Sequence, residues 1–450
     1  MVIIGGGPGG HTAATYAARY GAQVTVIERE LVGGAAHLLD CIPSKTMIAT
    51  GGAISFARRV GGMGLSDVEA RLDPDRMRER IRAIEHQLEE STVDLLTSQG
   101  VRIIRGTGRL LGPGRAEAIT GSGSEELEAD VFVLATGSRP RVPEWAPVDG
   151  ERILTTRDAY PPPEMPDHLV VVGSGVTGVE FVHMFTSLGV KVTLIVSRQQ
   201  VLPGKDPEAA ALLEQSFIDA GVSLYKGARA VGVERHGDEV VVECHDGRVA
   251  RGSHALLAIG SIPNSENLGL ETVGLGSDGG GYVAVDHNCL SSADGVYVAG
   301  DLSGRLPLSS VATMQGRKIA EHALGLHANR PHRHIDYDKA ASAIFTEPEI
   351  ADVGLAEAEA FASGRKIRVT KVPFSMTAKA LINNDPRGFV KILSDPANGT
   401  ILGGSIVGQN AAELISVIAL AVSAGLTVGD IHESLLVHPT LAEALAEAAE

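Results

Sequence analysis

Val2-Ile3-Ile4-Gly5-Gly6-Gly7-Pro8-Gly9-Gly10 is a short apolar run that breaks into a glycine-rich turn. An alanine-rich stretch, Thr12 to Tyr20, follows and predicts a helix, and a second apolar run, Gln23 to Ile27, ends on Glu28. Strand, glycine turn, helix and a strand closed by an acid are the parts of a dinucleotide-binding βαβ unit. Each glycine has its own task there. Gly5 permits the sharp turn, Gly7 lets the backbone approach a pyrophosphate, and Gly10 lets helix and strand pack closely. Helix-start N–H groups face the phosphates, and Glu28 lies where a carboxylate reaches the ribose hydroxyls of an adenosine.

The pattern recurs. Leu169 to Val172 leads into Gly173-Ser174-Gly175-Val176-Thr177-Gly178, a helical stretch containing Glu180, and the strand Lys191 to Val196. This second unit ends differently, on Val196-Ser197-Arg198, with no carboxylate for a free ribose 2′-hydroxyl. An arginine at that point pairs with a 2′-phosphate, which favours NADPH over NADH, although Arg198 also reads as a solvated surface residue.

Composition supports this class and excludes others. A length of 450 residues suits about three domains of ~150 residues, and 54 glycines with only 4% aromatic residues suit a nucleotide-binding α/β protein. A net charge of -16 repels a phosphate backbone, so nucleic acid is not an expected partner. No apolar run reaches the ~18 residues of a membrane span, and the first strand enters its glycine turn without a charged-then-apolar leader. A cytoplasmic location is therefore expected. Three cysteines, Cys41, Cys244 and Cys289, are too few for a disulfide framework, and no metal is expected. Cys244 in the alternating run Glu239 to His245, and Cys289 before Ser291-Ser292, read as buried inert thiols.

Further motifs stand in order around the two fingerprints. Val131 to Gly137 ends on Ala135-Thr136-Gly137, Ala258-Ile259-Gly260 precedes Pro263-Asn264, and Val296 to Asp301 ends on Gly300-Asp301. Phe345-Thr346-Glu347-Pro348-Glu349-Ile350 and His438-Pro439-Thr440 with Glu443 follow. Over essentially its whole length the chain resembles the pyridine nucleotide-disulfide oxidoreductases of the lipoamide dehydrogenase type. The resemblance implies an α/β fold of two Rossmann-like domains and a C-terminal α+β dimerisation domain, assembled as a homodimer. It assigns FAD to the first fingerprint, with Glu28 on the adenosine ribose, Gly106, Thr136 and Gly137 lining the cofactor, and Asp301 on the ribitol chain. NAD(P)H falls to Gly173, Gly175 and Gly178, with Gly260 closing that domain. Lys45 and Glu180 match a pair beside the flavin N5. His438, held by Glu443, matches an acid/base reaching the partner subunit's site.

One motif breaks. Where relatives carry two cysteines five residues apart, this chain reads Gly33-Gly34-Ala35-Ala36-His37-Leu38-Leu39-Asp40-Cys41-Ile42-Pro43-Ser44-Lys45. Cys41 remains and Ala36 replaces its partner, so a dithiol relay lacks its second thiol. The expected reaction is electron transfer from NAD(P)H through FAD to a quinone, as a single-cysteine branch with the same Gly-Gly-Ala-Ala start implies. Alternatives are a peroxidase or oxidase using Cys41, a dihydrolipoamide dehydrogenase, and a nucleotide-binding scaffold or redox sensor. Cys41 itself reads either as a redox-active thiolate or as a packed remnant.

The expected domains are residues 1–145 and 266–335 for FAD, 146–265 for NAD(P)H, and 336–450 for dimerisation. Asp73 to Thr97, with Pro74 at its first position and Met77, Ile81, Ile84, Leu88 and Leu95 along one face, predicts a long helix in the FAD domain. Strands over Val369 to Phe374 and Gly388 to Leu393 and a helix over Ala411 to Ala424 are expected near the C-terminus.

Overall fold

The computed structural model of the chain describes residues 1–66, 68–326 and 334–450. They group into two compact units. The first comprises Met1–Pro43, Arg78–Arg141 and Ser261–Tyr337, the second Ser44–Met77, Val142–Gly260 and Asp338–Glu450.

The first unit is built on a five-stranded parallel sheet with Val2–Ile4 at its centre. Thr25–Glu28 and Arg102–Arg105 lie to one side, Phe132–Leu134 and Val296–Val298 to the other. Successive residues of these strands enter opposite cores, Val2 and Ile4 one, Ile3 the other. Burial on both faces explains why the strands are unbroken apolar runs without alternation. The helix Pro8–Arg19 begins earlier than the Thr12 expected from alanine content, because Pro8 at the first helical position comes with its φ already set. It packs on the helix Ser309–Ala323 so closely that a Cβ on Gly316 would lie 2.2 Å from the Gly9 carbonyl oxygen. A three-stranded antiparallel meander, Thr107–Gly112, Arg115–Thr120 and Gly123–Glu128, leads back to the sheet.

The long helix spans Pro74–Ser98 and buries Met77 and Ile81 as expected, but Leu95 is 46% exposed and Leu96 is fully buried in its place. At about 100° per residue Leu95 falls in phase with Met77, but Leu96 is the residue that enters the core of Ile3, Val24 and Val26, with Val93 packed beside it.

The second unit repeats the plan. His168–Val172 is central, Lys191–Val196 and Ser223–Lys226 lie on one side, His254–Leu257 and Ile153–Thr155 on the other, all parallel. It too has a three-stranded meander, Ala230–His236, Glu239–Cys244 and Val249–Gly252. Its remainder is a five-stranded antiparallel sheet in the order Ser342–Ile344, Glu349–Gly354, Ile401–Gly408, Phe389–Ser394, Arg368–Pro373. The helix Ala411–Ala424 covers that sheet, burying Ile415 and Ile418 against Ile392 and Ile406. Among the described residues no helix is long and apolar enough to cross a membrane.

Candidate active site

In the first unit the glycines are under steric compulsion. Gly5 sits at φ +104°, and a Cβ there would lie 2.2 Å from the Ala135 carbonyl oxygen. On Gly10 it would lie 1.9 Å from the Gly5 carbonyl oxygen, so the helix rests on its own turn. Gly34 closes over the same turn, its Cβ position 2.4 Å from the Gly7 Cα. No side chain caps the helix at Gly7 and no acid stands in its first turn, which leaves its N–H dipoles for an anion. Glu28 is buried at the end of its strand; Gly6 N donates to its Oε2 at 2.7 Å and Glu30 N to its Oε1 at 2.8 Å. A carboxylate oxygen accepts two bonds, so each retains capacity for a ribose hydroxyl. This cradle fits the ADP half of FAD.

Thr136 is locked to Asn264 by two bonds, Thr136 Oγ1 donating to its carbonyl at 2.7 Å and Asn264 Nδ2 donating back at 2.9 Å. Gly137 beside it adopts φ +67°. Asp301 accepts from Ser138 Oγ at 2.5 Å, and Gly300 N donates to the fully buried Gln315 at 2.7 Å. Thr136, Ser138 and Asp301 therefore gather where the strand pair Ser138–Pro140 and Ser261–Pro263 joins the sheet. Gly106 is a packing glycine: its N–H donates to the Glu28 carbonyl, and a Cβ would lie 2.4 Å from the Ile119 carbonyl oxygen.

The second fingerprint repeats the contacts atom for atom. Gly173 has φ +110° with its Cβ position 2.3 Å from the Ala258 carbonyl oxygen, and Gly178 stands against Gly173 at 1.9 Å. Gly175, the uncapped helix start, has nothing within 4 Å, and neither has Gly260 at φ +95°. Such an open cradle fits the pyrophosphate of a pyridine nucleotide. Arg198 is exposed just past the strand end, and its carbonyl accepts from Gly227 N.

Lys45 and Glu180 come together although 135 positions separate them: Lys45 Nζ donates to Glu180 Oε2 at 2.7 Å. Lys45 lies in the helix Ile42–Arg59 and Glu180 in the helix Val176–Ser187, with the lysine one-third exposed and the glutamate buried. The other glutamate oxygen accepts from Phe345 N at 2.9 Å. In the sequence Phe345 stands out only as the first residue of the Phe345–Ile350 motif, since a main-chain donor leaves no mark on residue type. His438 Nδ1 is 2.7 Å from Glu443 Oε1, and Thr440 N donates to the same carboxylate. That carboxylate fixes the tautomer with the proton on Nδ1, leaving Nε2 of the exposed ring for exchange.

None of the three cysteines is in a disulfide bond. Burial pushes the Cys289 thiol up to about 11 and raises that of Cys244 as well, which keeps both protonated at neutral pH. Cys41 is exposed at the end of a π-helical turn, Ala36–Cys41, in which Ile42 N bonds to the His37 carbonyl.

The repeated nucleotide folds, the strand pair at Thr136 and the Lys45–Glu180 pair define a two-nucleotide flavoprotein reductase, and the chain belongs to the pyridine nucleotide-disulphide oxidoreductase family. Residues 1–316 match the family itself and residues 340–449 its dimerisation domain. The chain is 43% identical over 462 residues to an NAD(P)H dehydrogenase (quinone) of Mycobacterium tuberculosis, covering 100% of this chain and 93% of the relative. It is 32% identical to a dihydrolipoyl dehydrogenase of Bacillus subtilis, covering 100% and 97%. The crystal structure of LpdA from Mycobacterium tuberculosis superposes with a TM-score of 0.94 at 43% identity, covering 100% of this chain and 98% of that one. The protein is an FAD-dependent NAD(P)H oxidoreductase carrying the family's dimerisation domain.

Proposed function

We propose that the protein passes electrons from NAD(P)H through FAD to a quinone or similar acceptor, without a redox-active disulfide. FAD, when bound, supplies hydride acceptance and onward electron delivery. The observation that carries the reading is the turn Ala36–Cys41: it holds one thiol, while the two remaining cysteines are buried with their thiols protonated. A lone thiol cannot both attack a disulfide and resolve the product, so the electrons need an acceptor of another class. The name of the 43% identical relative supports a quinone.

In this reading Glu28, Gly5, Gly7, Gly10, Gly106, Thr136, Gly137 and Asp301 hold FAD, over a domain formed by residues 1–145 and 266–335. Gly173, Gly175, Gly178, Gly260 and Arg198 hold the pyridine nucleotide on residues 146–265. Arg198 prefers the 2′-phosphate of NADPH. Lys45, paired with Glu180, keeps its ammonium fixed beside the flavin. His438, from residues 336–450 of the partner in a homodimer, delivers a proton from Nε2 to a reduced quinone oxygen while Glu443 holds its ring. The -16 charge and three cysteines outside any disulfide support a cytoplasmic location.

The test is anaerobic reduction by NADPH and by NADH, followed spectrally, then reoxidation by a quinone, by lipoamide and by peroxide. Rapid quinone reoxidation is expected. Rapid lipoamide turnover overturns the reading, and peroxide turnover that disappears in Cys41→Ser replaces it with a single-cysteine peroxidase.

A further inference from the structure

We propose that Phe345 is the positioning residue of the Lys45–Glu180 pair, and that Glu347 locks it in place through Arg59 and Arg387. Three groups close a triangle. Lys45 Nζ is 2.7 Å from Glu180 Oε2, Phe345 N is 2.9 Å from Glu180 Oε1, and the lysine nitrogen is 4.8 Å from the centroid of the Phe345 ring. Phe345 thus holds the acid with its backbone and the base with its ring.

The division of labour follows from what each group offers. A lysine ammonium on four methylenes swings freely when a single carboxylate oxygen holds it. A second acid would fix it but would overcompensate its charge. An aromatic face attracts the cation without carrying charge, so the ammonium is confined and its field survives. Glu180, bonded through one oxygen to a backbone N–H and through the other to the ammonium, has its carboxylate plane set as well.

The segment that presents Phe345 is itself clamped two residues on. Arg387 Nη2 reaches the Glu347 carboxylate at 2.8 Å, Arg59 bonds the same oxygen, and Ser216 Oγ donates to the Glu347 carbonyl at 2.8 Å. Asp385 orients Arg387 through two bonds, 2.6 and 2.8 Å. Burial pushes the Glu347 carboxyl up, but Arg387, Ser55 and Arg59 outweigh it and hold it below its ordinary value. Arg59 ends the helix that carries Lys45, so that helix is tied to residues 345–347 at both of its ends. His183, one turn beyond Glu180, is buried under the clamp, and burial keeps its ring neutral, so it adds no competing charge.

The inference rests on the reading that Lys45 and Glu180 serve the flavin, and the experiment separates the two. Phe345→Leu keeps the N–H and removes the ring face, Phe345→Tyr keeps both, and Glu347→Gln loosens the segment without touching the pair. Each is prepared as the FAD-loaded dimer, beside Lys45→Met and Glu180→Gln. The readouts are the limiting rate and half-saturation of flavin reduction by NADPH, and the flavin midpoint potential. Phe345→Leu is expected to slow the limiting rate about tenfold, leave half-saturation unchanged and make the potential more negative, with Phe345→Tyr restoring both. Glu347→Gln is expected to give a fall of about threefold in the same rate. Phe345→Leu and Glu347→Gln both matching the parent, while Lys45→Met is slow, overturns the inference alone, as does Phe345→Tyr failing like Phe345→Leu. If Lys45→Met and Glu180→Gln leave rate and potential unchanged, the underlying reading falls and takes the inference with it.

Discussion

Two sheets in this chain share one strand order, yet they are closed from opposite directions along the sequence. In the first, the outer strand Val296–Val298 arrives long after the meander; in the second, Ile153–Thr155 precedes the central strand His168–Val172. The first fold is consequently assembled from three separate stretches, while the sheet and meander of the second run without interruption from Ile153 to Leu257. Their glycine turns are interchangeable in geometry. Their strand ends are not: Glu28 closes one and Ser197-Arg198 the other. In the function proposed above, what is common to both nucleotides lies in these backbone contacts, and what tells them apart lies in one side chain at each strand end.

The largest effects are expected where the two turns are most alike. Gly10→Val and Gly178→Val each drive a side chain into a carbonyl oxygen 1.9 Å from the Cβ position. Gly10→Val should yield protein without flavin absorbance. Gly178→Val should keep its flavin and bleach with dithionite, but be reduced by NADPH about a hundredfold more slowly. Loss of flavin from both would show that the two folds do not function separately. A smaller effect is expected at the strand ends, where Arg198→Ala should raise KM for NADPH about tenfold and leave NADH unaffected. Equal changes for both nucleotides would remove the specificity assigned to this arginine.

Smallest is an acid-dependent contribution at the closing strand of the second fold. Asp149 Oδ1 accepts from the backbone N–H groups of Glu151, Arg152 and Ile153, and Oδ2 from Arg235. Burial works against its ionisation, but these donors prevail and hold the carboxyl down at about 2, below its ordinary 3.8. A depressed native value means stability that is fully present above pH 3.8 and lost as pH falls through 2. Asp149→Asn should therefore lower Tm by a few degrees at pH 6, and the gap from the parent should close as pH approaches 2. A gap that persists there would mean that shape, not charge, holds the strand.

Much of the fold was legible because its signals are local. Lys191–Val196 and Ala411–Ala424 match the expected strand and helix residue for residue, since an apolar run or a one-faced periodicity marks each within its own window. The Lys45–Glu180 contact was reachable only through the family resemblance, as nothing local links residues so far apart. Three features had no local signature at all: Phe345 acts through its N–H and ring, the π turn Ala36–Cys41 differs from an α turn by one register step, and Glu347 meets Arg59 and Arg387 across the second unit. The exchange of Leu95 for Leu96 shows the same limit within a single helix, because the periodicity continues to Leu95 while the core of Ile3, Val24 and Val26 takes Leu96.

The π turn carries a further consequence for how this lineage can change. Its closing bond runs five residues, from Ile42 N–H to the His37 carbonyl, so positions 36 and 41 lie on successive turns of the widened coil. Ala36 keeps the five-residue spacing to Cys41, and alanine demands nothing of the backbone that cysteine does not. Ala36→Cys should restore a second thiol five residues before Cys41, and a thiol titration before and after oxidation would show whether the two pair. In the function proposed above, a one-thiol turn and a two-thiol turn differ by a single small side chain at position 36.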